Sequence, residues 1–134
     1  MAVLSGKKKV SAPFLNEATL MRIPFSFAND GGAIADYDVI EADGPLLIEL
    51  INIDMEIAAT SAGSMVMDLG KGAAGVEFKS DLAVASMTLD AQIAADTVGK
   101  VVELAHGEKI VLGLEAAAAT AGKFSMMFKI YARS

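Results

Sequence analysis

Few residue types in this chain could build a catalytic or metal centre. The 134 residues include one histidine, His106, and no cysteine. A zinc site of the common kinds draws on several histidine or cysteine ligands, and His106 stands alone in a predicted turn before Gly107, where histidine is normally solvated. No serine lies in a Gly-x-Ser-x-Gly elbow, and a Ser–His–Asp arrangement needs this same histidine. We therefore predict no catalytic, cofactor-binding or metal-binding residue, and a protein that is not an enzyme.

Carboxylates form the one recurrent pattern of reactive groups. Asp36 and Asp38, and likewise Asp54 and Glu56, stand two residues apart in predicted strands and so share a face. The strand rise separates such a pair by about 6.6–7 Å, which overlaps the spacing of the two acids in inverting glycosidases. Asp30 joins the first pair as a weak calcium candidate, although no loop of the EF-hand form is present. The interpretation we favour is that these acids form the solvated faces of half-buried strands.

The elements that would position such groups are short strands. Apolar and polar residues alternate from Ala18 onward, and turn-forming residues at 29–32 and 43–45 separate the alternating runs. The spacing of strands and turns predicts an all-β fold, a single-domain antiparallel β-sandwich of the jelly-roll type over residues 18–134. The predicted strands, seven or eight in number, cover residues 18–27, 36–42, 46–58, 65–69, 76–79, 101–104, 110–115 and 123–131.

Three local features refine this arrangement. The apolar phase of the longest predicted strand changes at Leu50 and Ile51, which indicates a β-bulge or a strand that crosses from one sheet to the other. Pro24 has no N–H to donate, so its strand is predicted at a sheet edge or bulged there. Residues 82–86 follow a helix-capping serine and form either one or two helical turns or an extended loop.

The composition is unusually apolar for a chain of this size. Hydrophobic residues make up 54% of the sequence and the mean hydropathy is +0.48. A membrane-spanning helix needs about 20 consecutive apolar residues, whereas the charge-free stretch at 57–67 holds only eleven. We therefore predict no membrane association, and we interpret the excess as apolar surface that contacts other subunits.

Charge is divided unevenly along the chain. The net charge is −6, yet residues 1–10 carry three lysines and no acid. The remaining residues hold eight basic and 17 acidic side chains, a net charge of −9. An acidic body opposes contact with phosphates, so no direct binding to nucleic acid is predicted.

The first 17 residues lack a sustained period and are predicted to form an extended N-terminal arm that precedes the sandwich domain at 18–134. A disordered terminus is one interpretation of this composition. The functional interpretation is a tether that lies on a neighbouring acidic surface. Its candidate partner-binding residues are Lys7, Lys8, Lys9, Phe14 and Leu15.

The C-terminal part carries a family resemblance. Residues 101–134, VVELAHGEKIVLGLEAAAATAGKFSMMFKIYARS, give a strand, a glycine-centred turn, a strand, a small-residue loop and a final strand. Together with the middle of the chain, rich in Ala, Gly and Thr, this order resembles the cement (decoration) proteins of tailed-bacteriophage heads. The resemblance covers residues 18–134 and rests on strand order rather than on any invariant motif.

The resemblance implies a structural role in a virion. Such proteins are β-sandwich or jelly-roll subunits, often homotrimers, that bind the major capsid protein on the capsid exterior after synthesis in the host cytoplasm. They hold neighbouring capsid subunits together, and the basic residues at 7–9 match the family's N-terminal arms. A non-catalytic module that binds carbohydrate or a receptor, from a phage fibre or a secreted protein, remains the alternative, although the absence of Trp counts against sugar binding. An enzyme of an unrecognised class is the third hypothesis.

Overall fold

The computed structural model describes residues 2–11 and 18–132, and this part of the chain is almost entirely β. One short helix, α1 (Phe27–Asp30), and one 3-10 turn, Val84–Ser86, interrupt the strands. The strands are β1 (Ala2–Ser11), β2 (Thr19–Ser26), β3 (Ala35–Asp43), β4 (Leu46–Ser61), β5 (Val66–Lys71), β6 (Lys79–Ala83), β7 (Gln92–Ile93), β8 (Val101–Leu104), β9 (Lys109–Glu115) and β10 (Ala119–Ala132).

The strands form two packed sheets. Sheet A has the order β1-β3-β9-β5-β6, and sheet B has the order β2-β10-β4, with the short strands β7 and β8 both pairing with β4. The chain alternates between the sheets from β1 to β5, stays in sheet A for β6 and in sheet B for β7 and β8, and then adds β9 between β3 and β5 and β10 between β2 and β4. This strand order is that of a jelly roll. The predicted all-β sandwich is confirmed, with a parallel β1–β3 pair among otherwise antiparallel neighbours.

The core lies between the sheets and is rich in aromatic contacts. Phe25 stacks on Phe124 at a centroid distance of 5.0 Å, and the ring of Tyr37 meets Phe25 edge-on at 5.9 Å. Phe78 and Phe128 pack at 6.0 Å near the opposite end. The Phe25–Phe124 stack lies within sheet B, whereas the Tyr37–Phe25 contact joins the two sheets; such ring contacts add to the free energy gained from burying the rings.

The predicted irregularities of the long and proline-containing strands are confirmed. Met127 pairs with Asn52 and Phe128 with Leu50, so Ile51 is an extra residue in β4 and forms a bulge. The strand stays in sheet B and keeps its apolar side chains inward on both sides of the bulge. Pro24 lies in β2, which is the edge strand of sheet B and pairs with β10.

The segment predicted as an arm has a different arrangement. Residues 2–11 form β1 at the edge of sheet A, pairing with β3 at its two ends and losing register between Val3 and Lys8. Leu4 and Val10 on this strand are buried in the core, at 2% and 4% exposure. The lysine run hides this pattern in the sequence, because it separates the two apolar residues that anchor the strand. Phe14 and Leu15 lie outside the described residues.

Smaller differences occur in the middle of the chain. The strand predicted at 76–79 begins only at Lys79, and it continues as β6 through residues predicted to be helical or looped. No helix in the described part of the chain is long and apolar enough to cross a membrane. The loop after β6 holds β7, which adds two residues to the edge of sheet B.

Candidate functional site

The paired carboxylates of sheet B do not face each other as an acid–base pair. Asp54 accepts a hydrogen bond from Arg22 at 3.0 Å and another from the side chain of Gln92. Glu56 forms an ion pair with Lys123 at 3.1 Å. The register between β4 and β10 shifts beside Glu56, so the regular two-residue spacing is lost there. Each acid is held by its own cation on the outer face of the sheet.

His106 lies in the turn between β8 and β9, and its side chain is 73% exposed. Its Nδ1 lies 3.3 Å from Oδ1 of Asp43. Gly107 continues the turn with φ +85° and donates its N–H to the carbonyl of Ala42 at 2.8 Å. The histidine is thus a solvated turn residue beside one carboxylate.

A row of ion pairs crosses one end of the outer face of sheet A. Lys7 and Lys9 of β1 both reach Glu41 of β3, at 2.7 and 3.8 Å. The hydrogen bond from Lys7 is the main reason that the pKa of Glu41 lies below its usual range. Next along the sheet, Lys109 of β9 binds Asp38 at 2.9 Å. We call this group, with Lys71, the basic end of sheet A.

Asp38, Lys71 and Lys109 of the basic end line a pocket of about 240 Å³. Val111 is the fourth strand residue of the lining, and the loop after β5 and the turn before β9 supply the rest. The two loops are tied together, because Gly72 donates its N–H to the carbonyl of Lys109 at 3.0 Å. Gly72 has φ +75°, a conformation that glycine adopts without strain, so a tight turn brings this loop over the sheet.

Asp38 is the most unusual residue of the pocket. Its side chain is 3% exposed, yet only Oδ2 has a partner, the ammonium of Lys109. Oδ1 accepts no hydrogen bond from the described residues. A buried carboxylate oxygen without a donor is costly, and in native structures such a group usually has an explanation. The ion pair raises the pKa of Lys109, mainly through the hydrogen bond to Asp38.

A second group of acids lies on the same face at the other end of the sheet. Carboxylate oxygens of Asp68, Asp81 and Glu115 all lie within 4.8 Å of one another. Asp36 and Glu115 also converge on Gly113, whose missing side chain leaves room between β3 and β5. The hydrogen bond to Asp68 is the largest of the effects that raise the pKa of Glu115. We call these four residues the acidic group.

The acidic group could supply part of the shell of a hard cation. Ca²⁺ takes about six to eight oxygen ligands, so the three converging carboxylates would need water or further ligands to complete it. The sequence analysis missed this group because its members come from four strands or strand ends. Asp36 and Asp38, predicted as a pair, belong to different ends of the face. No local spacing signals the convergence of Asp68 with Glu115.

Sheet B carries exposed apolar side chains at two places along the side of β4 that faces β7 and β8, on either side of the polar contacts of Asn52 and Asp54 with Gln92. Ile57 lies opposite Leu89, because backbone hydrogen bonds join Ala59 to Met87 and Asp90 to Met55. Val101 pairs with Glu49 two residues before the bulge. We call these side chains the apolar margin; its members, all at least 40% exposed, are Ile51, Ile57, Leu89 and Val101.

Of the five residues predicted to bind a partner, the structure places three. Lys7 and Lys9 are engaged by Glu41 of the same chain, and Lys8 is exposed. Phe14 and Leu15 fall outside the described residues. Comparison with family models, with curated proteins and with solved structures finds no match to this chain.

Proposed function

We propose that the protein is a structural subunit that decorates the outer surface of a phage head. In this proposal it binds the major capsid protein as a homotrimer and stabilises the contacts between neighbouring capsid subunits. The observation that carries the proposal is the apolar margin on a small jelly-roll domain. Four exposed aliphatic side chains along one side of β4 offer apolar surface that a partner protein can cover.

The two sheets differ in the groups that they expose, and in this proposal only sheet B forms the contact between subunits. The outer face of sheet A carries the charged side chains of the basic end and the acidic group. The apolar margin lies on sheet B, and burying it against another protein surface gains free energy in proportion to the apolar area removed from water. Permanent interfaces are the more hydrophobic kind, so the margin is the part of this surface best suited to subunit contacts.

The sequence alone predicted that all three lysines at 7–9 bind a neighbouring surface, whereas this proposal assigns that role to Lys8 alone. Glu41 holds Lys7 and Lys9 against the domain, so these residues first secure the edge strand of their own chain. Lys8 is exposed on the same strand and is the residue available to an acidic neighbour. Many identical weak contacts of this kind gain strength when a capsid lattice presents repeated sites.

The proposed activity is mechanical rather than catalytic. The sequence predicted that Asp54 and Glu56 share a strand face. Each of them forms an ion pair with a separate basic side chain. Each acid therefore has its own stabilising ionic partner, which favours a structural role for both.

Two measurements test the proposal. Sedimentation of the purified protein should show a trimer, and addition to phage heads that lack it should give saturable occupancy and a higher temperature of head disruption. The double variant Ile57→Ser/Leu89→Ser should lose both properties. Val76→Ser is the matched control, because Val76 is also exposed but lies in the loop before β6. A protein that stays monomeric, or that binds heads without raising their heat stability, would contradict the proposal.

A further inference from the structure

We propose that the pocket over Asp38 binds a small, neutral, polyhydroxylated ligand, such as a single sugar residue. This inference does not depend on the proposed structural function. It assigns a binding role to the outer face of sheet A, away from the apolar margin. The argument proceeds from the floor of the pocket, its rim, its charge and its size.

The floor of the pocket needs a hydrogen-bond donor. Oδ1 of Asp38 is buried and lacks one, while Oδ2 is satisfied by Lys109. A ligand hydroxyl that donates to Oδ1 would complete the carboxylate, and hydrogen bonds to charged groups are the stronger kind. Because Oδ1 is shielded from solvent, the pocket lining must open for a ligand hydroxyl to reach it.

The rim of the pocket offers donors. Lys71 forms one ion pair, with Glu108 at 3.1 Å, and Lys109 forms one with Asp38. An ammonium group carries three donors, so both lysines can donate further hydrogen bonds to ligand oxygens. A pair of adjacent hydroxyl groups matches this pattern, because one donates to the carboxylate while the other accepts from an ammonium.

Charge and size restrict the ligand class. The lining contains two lysines and two acids, Asp38 and Glu108, which balance each other and favour a neutral ligand. A divalent cation is disfavoured because two ammonium groups border the space. The volume of about 240 Å³ lies below the roughly 300–1,000 Å³ typical of pockets for drug-sized ligands. Most of the exposed pocket wall is apolar, with Val111 and Ala73 among its residues, so the nonpolar face of a sugar ring can pack on it while hydroxyl groups bond to the charged groups.

The test is a titration of the isotope-labelled full chain followed by amide NMR. Free glucose, galactose and mannose are added separately, and an oligosaccharide of the best binder distinguishes a terminal sugar residue from the free sugar. We expect saturable shifts at the amides of Gly72, Gly107 and Val111 with at least one of these sugars. Shifts with the free sugar alone, or with both forms, support the pocket. No saturable shift with any of them overturns the proposal.

Matched variants tie the binding to Asp38. Asp38→Asn should weaken binding by about tenfold, the loss expected for one hydrogen bond to a charged group. Asp36→Asn is the control, because Asp36 stands two residues away on the same strand and outside the pocket lining. If Asp38→Asn fails to fold, Lys71→Met, which alters only the rim, should weaken binding in its place. Binding unchanged in the variants, or shifts of the same amides with Ca²⁺ in place of sugar, overturns the proposal.

Discussion

Gly6 of β1 and Pro24 of β2 touch where the edges of the two sheets meet. A β-carbon at Gly6 would lie 2.7 Å from Cδ of Pro24 and 3.0 Å from its Cγ. Glycine has no side chain to fill this contact with further atoms. Proline has no backbone N–H, so it cannot donate a hydrogen bond to another strand. The side of the sandwich is therefore closed by direct contact between the two edge strands, without a hydrogen-bonded ladder between them.

Substitution of Gly6 should open this side. In Gly6→Ala the new methyl group meets a rigid proline ring, and overpacking of this kind destabilises by about 1–3 kcal/mol. Urea unfolding followed by circular dichroism measures the loss. Lys8→Ala is the control on the same strand, because Lys8 is exposed, and it should unfold close to the unaltered protein. Equal urea midpoints for the two variants would show that the Gly6–Pro24 contact is not close in solution.

The burial of β1 gives a second expectation. Leu4→Ala should lower the free energy of unfolding by about 2–4 kcal/mol, because it leaves a cavity between the sheets. Val3→Ala removes apolar atoms from the neighbouring residue, which is 54% exposed, and should change stability little. Thermal and urea unfolding of both variants measure the difference. If Leu4→Ala is as stable as Val3→Ala, β1 is a detachable arm, as the sequence alone predicted.

Local patterns in the sequence predicted the features that depend on neighbouring residues. The bulge at Ile51 and the edge position of Pro24 follow from strand alternation and from a missing donor, both of which are visible in a short window. The jelly-roll class follows from the number and spacing of strands. These features can be predicted without knowing which strands become neighbours in the sheets.

Features that depend on distant pairing could not be predicted. Asp68 and Glu115 meet because β5 and β9 are adjacent in sheet A, and nothing local to either strand encodes that adjacency. Leu4 and Val10 are separated by a lysine run that suggests solvent exposure, whereas pairing with β3 buries them. The pocket over Asp38 likewise arises from two loops that approach the sheet from distant parts of the chain.

The ion pair between Lys7 and Glu41 predicts a sensitivity to acid. Folding lowers the pKa of Glu41 below 4.5, so its stabilising effect is fully present above about pH 4.5 and is lost as the pH falls through the lowered value. Glu41→Gln should therefore melt below the unaltered protein near neutral pH. The gap should shrink on acidification, and also with added salt, which screens exposed charges.

Melting temperatures of Glu41→Gln and of the unaltered chain, from about pH 7 to about pH 3, measure this gap. Lys8→Gln is the control, since it removes a charge from the same strand without touching the Glu41 contacts. A gap between Glu41→Gln and the unaltered chain that persists unchanged at the lowest pH would rule out the ion pair as its source.

The acidic group predicts the opposite pH dependence. Folding raises the pKa of Glu115 above 4.5, mainly through the hydrogen bond to Asp68, so the folded state takes up a proton before the unfolded state does. The contribution of Glu115 to stability should therefore grow as the pH falls from neutral towards about 4.5 and stay constant below it.

Glu115→Gln keeps the size and hydrogen-bonding capacity of the side chain without its charge. It should melt above the unaltered protein at neutral pH, and the advantage should disappear below about pH 4.5. Glu49→Gln, on the outer face of sheet B, should show no such convergence. A Glu115→Gln variant that melts lower at neutral pH would mean that the charge of Glu115 is satisfied by a partner, and that the four acids do not repel one another.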